Sequence, residues 1–224
     1  MAKSSPRAFE RAFTLIELLV VIATMFILGA IAFPAFKGVL ERAKATKDMS
    51  NLRQIGMAIQ TYLNDSDQIL PASTQWPGTS TTPGLYSKYL ATRKIFQSPF
   101  DKRPAAENDT APVSYSINAN MFAASPGIDR NMLKVVSPAS TFLMAPKYTG
   151  ASTYTGTTTS APDLPVGAPA ETLGTHGNGT KINVLFCDWH TETVTFGPNG
   201  NPAPGSFKDS TTDPLGLKHW DPTK

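Results

Sequence analysis

The sequence predicts an α+β fold in which one long N-terminal helix, half apolar and half amphipathic, packs on a small antiparallel β-sheet head. Three observations carry that prediction. Residues 13–36 are an apolar run in which Glu17 is the only charged side chain. Met49, Leu52, Ile55, Ile59 and Tyr62 then recur at spacings of three and four, with Lys44, Lys47, Asp48, Arg53 and Gln60 elsewhere around the wheel, the pattern of a helix laying one stripe on a core. From residue 65 onward Pro, Ser and Thr become frequent and the apolar runs shorten, as in short strands separated by turns.

The apolar run has 24 residues, about 36 Å as a helix against a hydrocarbon core of about 30 Å. It is long enough to span a bilayer. Lys3, Arg7 and Arg11 precede it with only Glu10 opposing them, a basic flank expected on the cytoplasmic side, so the chain behind the helix is expected to be translocated. Lys37-Gly38-Val39-Leu40-Glu41-Arg42 offers no small-residue signal-peptidase site after the run. The formal charge of +3 includes a net +2 from those leader residues, which leaves about +1 and no basis for nucleic-acid binding.

Ala12-Phe13-Thr14-Leu15-Ile16-Glu17-Leu18-Leu19-Val20-Val21-Ile22 resembles the class III signal of type IV prepilins and pseudopilins. The resemblance implies a pilin-like fold and cleavage by a prepilin peptidase between Ala12 and Phe13. It also implies methylation of the new Phe13 amine and retention of the apolar segment. Ala12 stands where the family usually has glycine, and its small size preserves the expectation of cleavage. The chain then divides into a leader (1–12), a transmembrane and assembly half of the helix (13–36), an amphipathic half (37–64) and a β-rich head (65–224).

A charged acid in lipid costs on the order of 2.5 to 3.5 kcal/mol at mid-helix and less near an end, so Glu17 needs a partner. After cleavage the nearest cation is the Phe13 amine, four residues away on the same face. Two readings follow. Glu17 neutralises its own helix end, or, as the resemblance implies, it pairs with the Phe13 amine of a neighbouring subunit and sets the axial register of a filament.

Pro34 removes a helical donor and Gly29 loosens the same region, so a kink is expected there; proline at this place also matches the pilin pattern. A helix from Thr14 to Leu63 would be about 75 Å long. Asn64-Asp65-Ser66-Asp67 reads as its end. In the head, Val113–Ile117, Thr141–Ala145, Ile182–Phe186 and Thr191–Phe196 are candidate strands and Gly84–Tyr89 a candidate short helix. Residues 149–180 read as a long exposed loop, poor in apolar area to bury.

The stretch from His176 to His190 places a glycine-rich loop before a strand and turns at Asp188-Trp189-His190 into a second one, giving a hairpin over residues 181–196. It resembles the C-terminal His…Asp-Gly-His hairpin of a group of pilin-like proteins. Eleven residues rather than nine separate His176 from Asp188, and Trp189 replaces the turn glycine, which implies a different turn or strain. Ser98-Pro99-Phe100-Asp101 and Ser114-Tyr115-Ser116-Ile117-Asn118 are weaker echoes of the same group.

The expected role of the hairpin residues is structural, with Asp188 capping the turn and His176 bonding across to it. No metal site is assigned: His176, Cys187, Asp188 and His190 have zinc-ligand chemistry, but Cys187 and Asp188 point to opposite faces of a continuing strand. Calcium is left open through Asp209, Asp213 and Asp221, without an Asp-x-Asp-x-Asp-Gly loop. The single cysteine, Cys187, excludes an intrachain disulfide and is expected in the core.

No nucleophile and base set or paired carboxylates point to catalysis. The expected function is a structural subunit, processed by prepilin peptidase and polymerised through its N-terminal helix into a type IV pilus or type II secretion pseudopilus. Alternatives are a minor pilin or pseudopilin serving secretion or adhesion, and a membrane-anchored binding or enzymatic head. Expected partners are copies of itself or related pilins, the peptidase, an inner-membrane assembly platform and the membrane. No nucleic acid, small-molecule substrate or cofactor is evident. The expected placement is a single pass in the inner membrane with a cytoplasmic N-terminus and a periplasmic head, which is carried into the filament on assembly.

Overall fold

The computed structural model describes residues 13–72, 78, 84–101, 113–122, 127–146, 175–177, 181–195 and 221–223. The leader 1–12, most of the loop 149–180 and the aspartates Asp209 and Asp213 lie outside the described residues. Two compact units divide the chain, residues 1–42 and 43–224.

In the first unit, helix α1 (Leu15–Asp65) begins, and the large apolar side chains from Phe13 to Phe36 are exposed. Thr24 Oγ1 donates back to the Val21 carbonyl at 2.8 Å, which satisfies a hydroxyl otherwise stranded among apolar neighbours. The Lys37 ammonium lies over the Phe33 ring, 4.8 Å from its centroid, covering apolar surface with its stem as it reaches away. The helical backbone continues through Gly29 and Pro34.

In the second unit the same helix supplies the core stripe. Leu52, Ile55, Ile59 and Leu63 are fully buried with Leu85, Phe96, Tyr115, Ile117, Met144 and Leu185, each burial contributing roughly 1.5 to 3 kcal/mol. Met49 and Tyr62, expected on the stripe, are only half-buried, whereas Asp48 and Asn51 are buried. That placement corrects the expectation for Asp48, which sits on the core side of the wheel. Gly56 lets the helix approach the sheet closely, since a Cβ there would lie 3.1 Å from Leu185 Cδ1. The helix ends at Asp65 as the polar cluster predicts. Gln68 N donates to the Leu63 carbonyl at 2.9 Å, and Asp67 and Gln68 take left-handed φ values of 48° and 62° that stop propagation.

The expected helix at Gly84–Tyr89 reduces to α2, Leu85–Lys88, in which Tyr86 (ψ 148°) and Ser87 (φ 73°) are not helical. It leads directly into the two-residue strand β1, Tyr89–Leu90. The main sheet has four antiparallel strands in the order β2-β3-β4-β5. They are β2 Tyr115–Ile117, β3 Phe142–Pro146, β4 Lys181–Phe186 and β5 Thr191–Thr195. Each matches an expected strand, although β2 excludes Val113 and Ser114: the Ser114 amide is bonded instead to the Phe96 carbonyl at 2.8 Å. Strand β3 is buried along its length, consistent with its central position, and Phe142 meets Phe186 of β4 edge to face at 4.9 Å.

The β4–β5 turn shows what replaces glycine. Trp189 N donates to Phe186 O at 3.1 Å and Phe186 N to His190 O at 2.9 Å, a three-residue hairpin loop whose last residue is left-handed. Trp189 occupies that position with φ 75°, while its indole packs against the core. Of the two alternatives, a different turn or strain, the structure shows the second: the loop is an ordinary three-residue hairpin turn and Trp189 occupies the left-handed position that glycine favours. Cys187 is buried, as expected, but lies in the turn rather than in the strand; burial pushes its thiol far up, leaving it inert.

Candidate functional site

Two constellations stand out, one in each unit. At the start of α1, Thr14 precedes the first helical residue and Glu17 occupies the third. The Thr14 amide and hydroxyl both donate to Glu17 Oε2, at 2.9 and 2.7 Å, and Thr14 Oγ1 accepts from the Glu17 amide at 3.3 Å. These reciprocal bonds form a capping box, which satisfies helix-end donors that have no partner along the axis. The sequence Thr14-Leu15-Ile16-Glu17 carries the signature of this box, a signal that sequence reasoning missed by attending to the acid alone. Phe13, Ile16, Glu17, Val20 and Val21 border one shallow surface hollow, so Phe13 and Glu17 share a face.

In the second unit, the carboxylate of Asp48 is fully buried. Ser98 Oγ and Tyr115 Oη each donate to Oδ1 at 2.6 Å, and Asn183 Nδ2 donates to Oδ2 at 2.9 Å. Three chain segments far apart in sequence thus converge on one side chain of α1. Asn183 also donates to the Ala45 carbonyl at 3.0 Å and accepts from Thr193 Oγ1 at 2.7 Å. Ser114 Oγ accepts from the Ser98 amide at 2.9 Å and donates to Asp101 Oδ2 at 2.7 Å. Asn51 adds a bond to the Gln97 carbonyl at 3.1 Å.

Burial raises the proton affinity of Asp48, and the three donors only partly offset it. Burial and the adjacent Asp48 push the Tyr115 phenol well above its usual range, so Tyr115 stays a donor. Sequence reasoning missed this joint. Its parts are visible separately: Asp48 continues the stripe of Leu52, Ile55 and Ile59 one turn upstream, and the Ser98 and Ser114-Tyr115 motifs stand out without a shared role.

Of the two expected hairpin contacts, Asp188 capping the turn is found, and His176 bonding across to it is not. Asp188 bonds to its near neighbour, accepting from the His190 amide at 3.2 Å and contacting His190 Nδ1. It does not reach His176, because Cys187 turns inward and Asp188 faces out. His190 stacks on Phe186 with centroids 4.0 Å apart and brings Nε2 within 3.9 Å of Glu192. His176 exchanges backbone bonds with Lys181 at 3.1 and 2.9 Å and stacks on Phe100, 5.3 Å away. His176 therefore joins the Ser98–Asp101 segment, not the turn. Among the described residues, no group of three or more His, Cys, Asp or Glu side chains is placed to hold a metal ion.

An uncovered apolar helix opening on a capped acid, with the later residues of the same helix forming the core stripe of a sheet-bearing unit, defines a protein with a helix of membrane-spanning length and a folded head. The type IV major fimbrial protein FimA of Dichelobacter nodosus is 32% identical over 81 residues, 36% of this chain and 52% of the relative. A second FimA of that organism is 37% identical over 62 residues, 28% of this chain and 40% of the relative. A fimbrial protein of Neisseria meningitidis serogroup B is 34% identical over 77 residues, 34% of this chain and 41% of the relative. The chain spans about half or less of the length of these curated relatives. No family model and no solved structure matches. Over the matched stretch the chain is homologous to type IV fimbrial proteins, which supports the type IV pilin family that its first residues resemble.

Proposed function

We propose that this chain is a prepilin, a structural subunit whose mature form polymerises through the apolar half of α1 into a type IV pilus or a type II secretion pseudopilus. In this reading a prepilin peptidase cuts between Ala12 and Phe13 and the Phe13 amine is methylated. The subunit then waits in the inner membrane with its N-terminus cytoplasmic and its head periplasmic. Copies of the chain or related pilins, brought together by an inner-membrane platform, replace lipid around the helix.

One observation carries the proposal: the large apolar side chains of residues 13–36 are exposed, on a helix whose first turn holds a carboxylate. Lipid covers such a surface but gives the acid nothing, whereas a neighbouring amino terminus would pair with it. Electron microscopy of cells with and without the gene tests the reading. Loss of surface fibres, or of a secreted cargo together with its pseudopilus, is the expected result. Unchanged fibres and secretion, with the chain remaining a membrane monomer, would overturn it.

A further inference from the structure

We propose that Asp48 is a proton-binding joint between residues 43–65 of α1 and the sheet: its buried carboxyl exchanges between a charged form held by three donors and a neutral form hydrogen-bonded to a hydroxyl, and taking up the proton strengthens the joint. The inference concerns the second unit alone and is independent of whether the chain polymerises.

The geometry accommodates both forms. Charged, the carboxylate accepts from Ser98 Oγ and Tyr115 Oη on Oδ1 and from Asn183 Nδ2 on Oδ2. Neutral, its own proton on Oδ1 can be donated to either hydroxyl oxygen, since Ser and Tyr hydroxyls both donate and accept. Asn183 meanwhile keeps its bond to Oδ2. One hydroxyl bond then reverses direction while the other two keep theirs, so the same partners hold the carboxyl in both states and the charge is lost.

Among the described residues no cation offsets that charge. On α1, Lys44 and Lys47 are exposed, and neither is among the groups that hold the carboxylate. Asp101, in the segment that carries Ser98, is itself an acid engaged with Ser114. On β2 the facing group is Tyr115, neutral and held so by burial. Lys181 on β4 and Glu192 on β5 are exposed, as are Asp188 and His190 in the turn. A carboxylate removed from water without a cation is driven towards its neutral form, the direction found for Asp48.

The sign of the pH effect follows. The folded carboxyl holds its proton more tightly than the unfolded chain does, so its contribution to stability is complete below the unfolded value of about 3.9. That contribution is lost as pH rises from there through the higher folded value. Acid strengthens this joint.

The test uses the full chain in detergent micelles. Carboxyl titration by infrared difference spectroscopy or carbon NMR is expected to show an aspartate whose transition lies above the ordinary range and which is missing in D48N. The amide introduced by D48N matches the neutral form in charge, with its nitrogen donating to the hydroxyl oxygens of Ser98 and Tyr115 and its carbonyl accepting from Asn183. The denaturation midpoint of D48N is therefore expected to equal or exceed that of the wild type at neutral pH, and the gap to close as pH falls. A wild type with no aspartate titrating above the ordinary range would overturn the proposal, as would a D48N chain that unfolds at neutral pH.

Discussion

The phenol of Tyr115 on β2 donates at 2.6 Å to the carboxyl of Asp48, a residue 67 positions earlier on α1. That bond ties the core face of the helix to the sheet edge through a polar contact in an otherwise apolar interface. Tyr115 is fully buried and also belongs to the hydrophobic core, so removal of its oxygen alone separates the two contributions. Tyr115→Phe keeps the ring and deletes one donor to Asp48. We expect a loss of about 1.5 to 3 kcal/mol where Asp48 is charged and about 0.5 to 1.5 kcal/mol where it is neutral, the ranges for hydrogen bonds to charged and neutral groups. Chemical denaturation of the full chain in micelles measures it.

Thr14 is predicted to matter through its hydroxyl. Thr14→Ala removes the side-chain donor to Glu17 and the acceptor for the Glu17 amide, and loss of such a cap costs about 0.5 to 2 kcal/mol of helix stability. Amide exchange in the first turn, at Leu15 to Glu17, should accelerate in Thr14→Ala and stay near the parent rate in Thr14→Ser.

Glu17→Ala should leave peptidase cleavage and membrane insertion intact, because the apolar segment and the cut site are unchanged, while fibres or pseudopili are abolished. Immunoblotting for the processed form and electron microscopy read the two outcomes. Normal fibres from this variant would remove the register role from Glu17 and leave it a helix cap.

Trp189 combines core packing with a left-handed backbone, and two truncations separate them. Trp189→Ala and Trp189→Gly lose the same indole contacts, but only glycine takes φ near 75° without a Cβ penalty of roughly 1 kcal/mol. The glycine variant should therefore be the more stable of the two. Equal denaturation midpoints would show that the turn relaxes once the indole is gone.

Local pattern is enough for much of this architecture. The apolar run, the basic flank, the stripe from Leu52 to Ile59 and the four strand segments are each encoded within a few neighbouring residues, where side-chain period sets the exposed and buried faces. The short helix at Gly84–Tyr89 is legible only in part, because Ser87 adopts a left-handed φ of which no glycine or asparagine gives warning. The expected bond from His176 to Asp188 does not form: within the turn Cys187 is buried and Asp188 exposed, and the Asp188 carboxylate bonds to His190.

A membrane-length helix with one acid, a head of short strands and a hairpin whose turn lacks its glycine are all written in the order of the residues. The burial of Asp48 among Ser98, Tyr115 and Asn183 is not, and emerges only when the chain is folded. The physical reason is range. Amphipathic period is a property of neighbours along the chain, whereas a buried carboxyl is tolerated only when donors from distant segments arrive together, and no spacing in the sequence records that meeting.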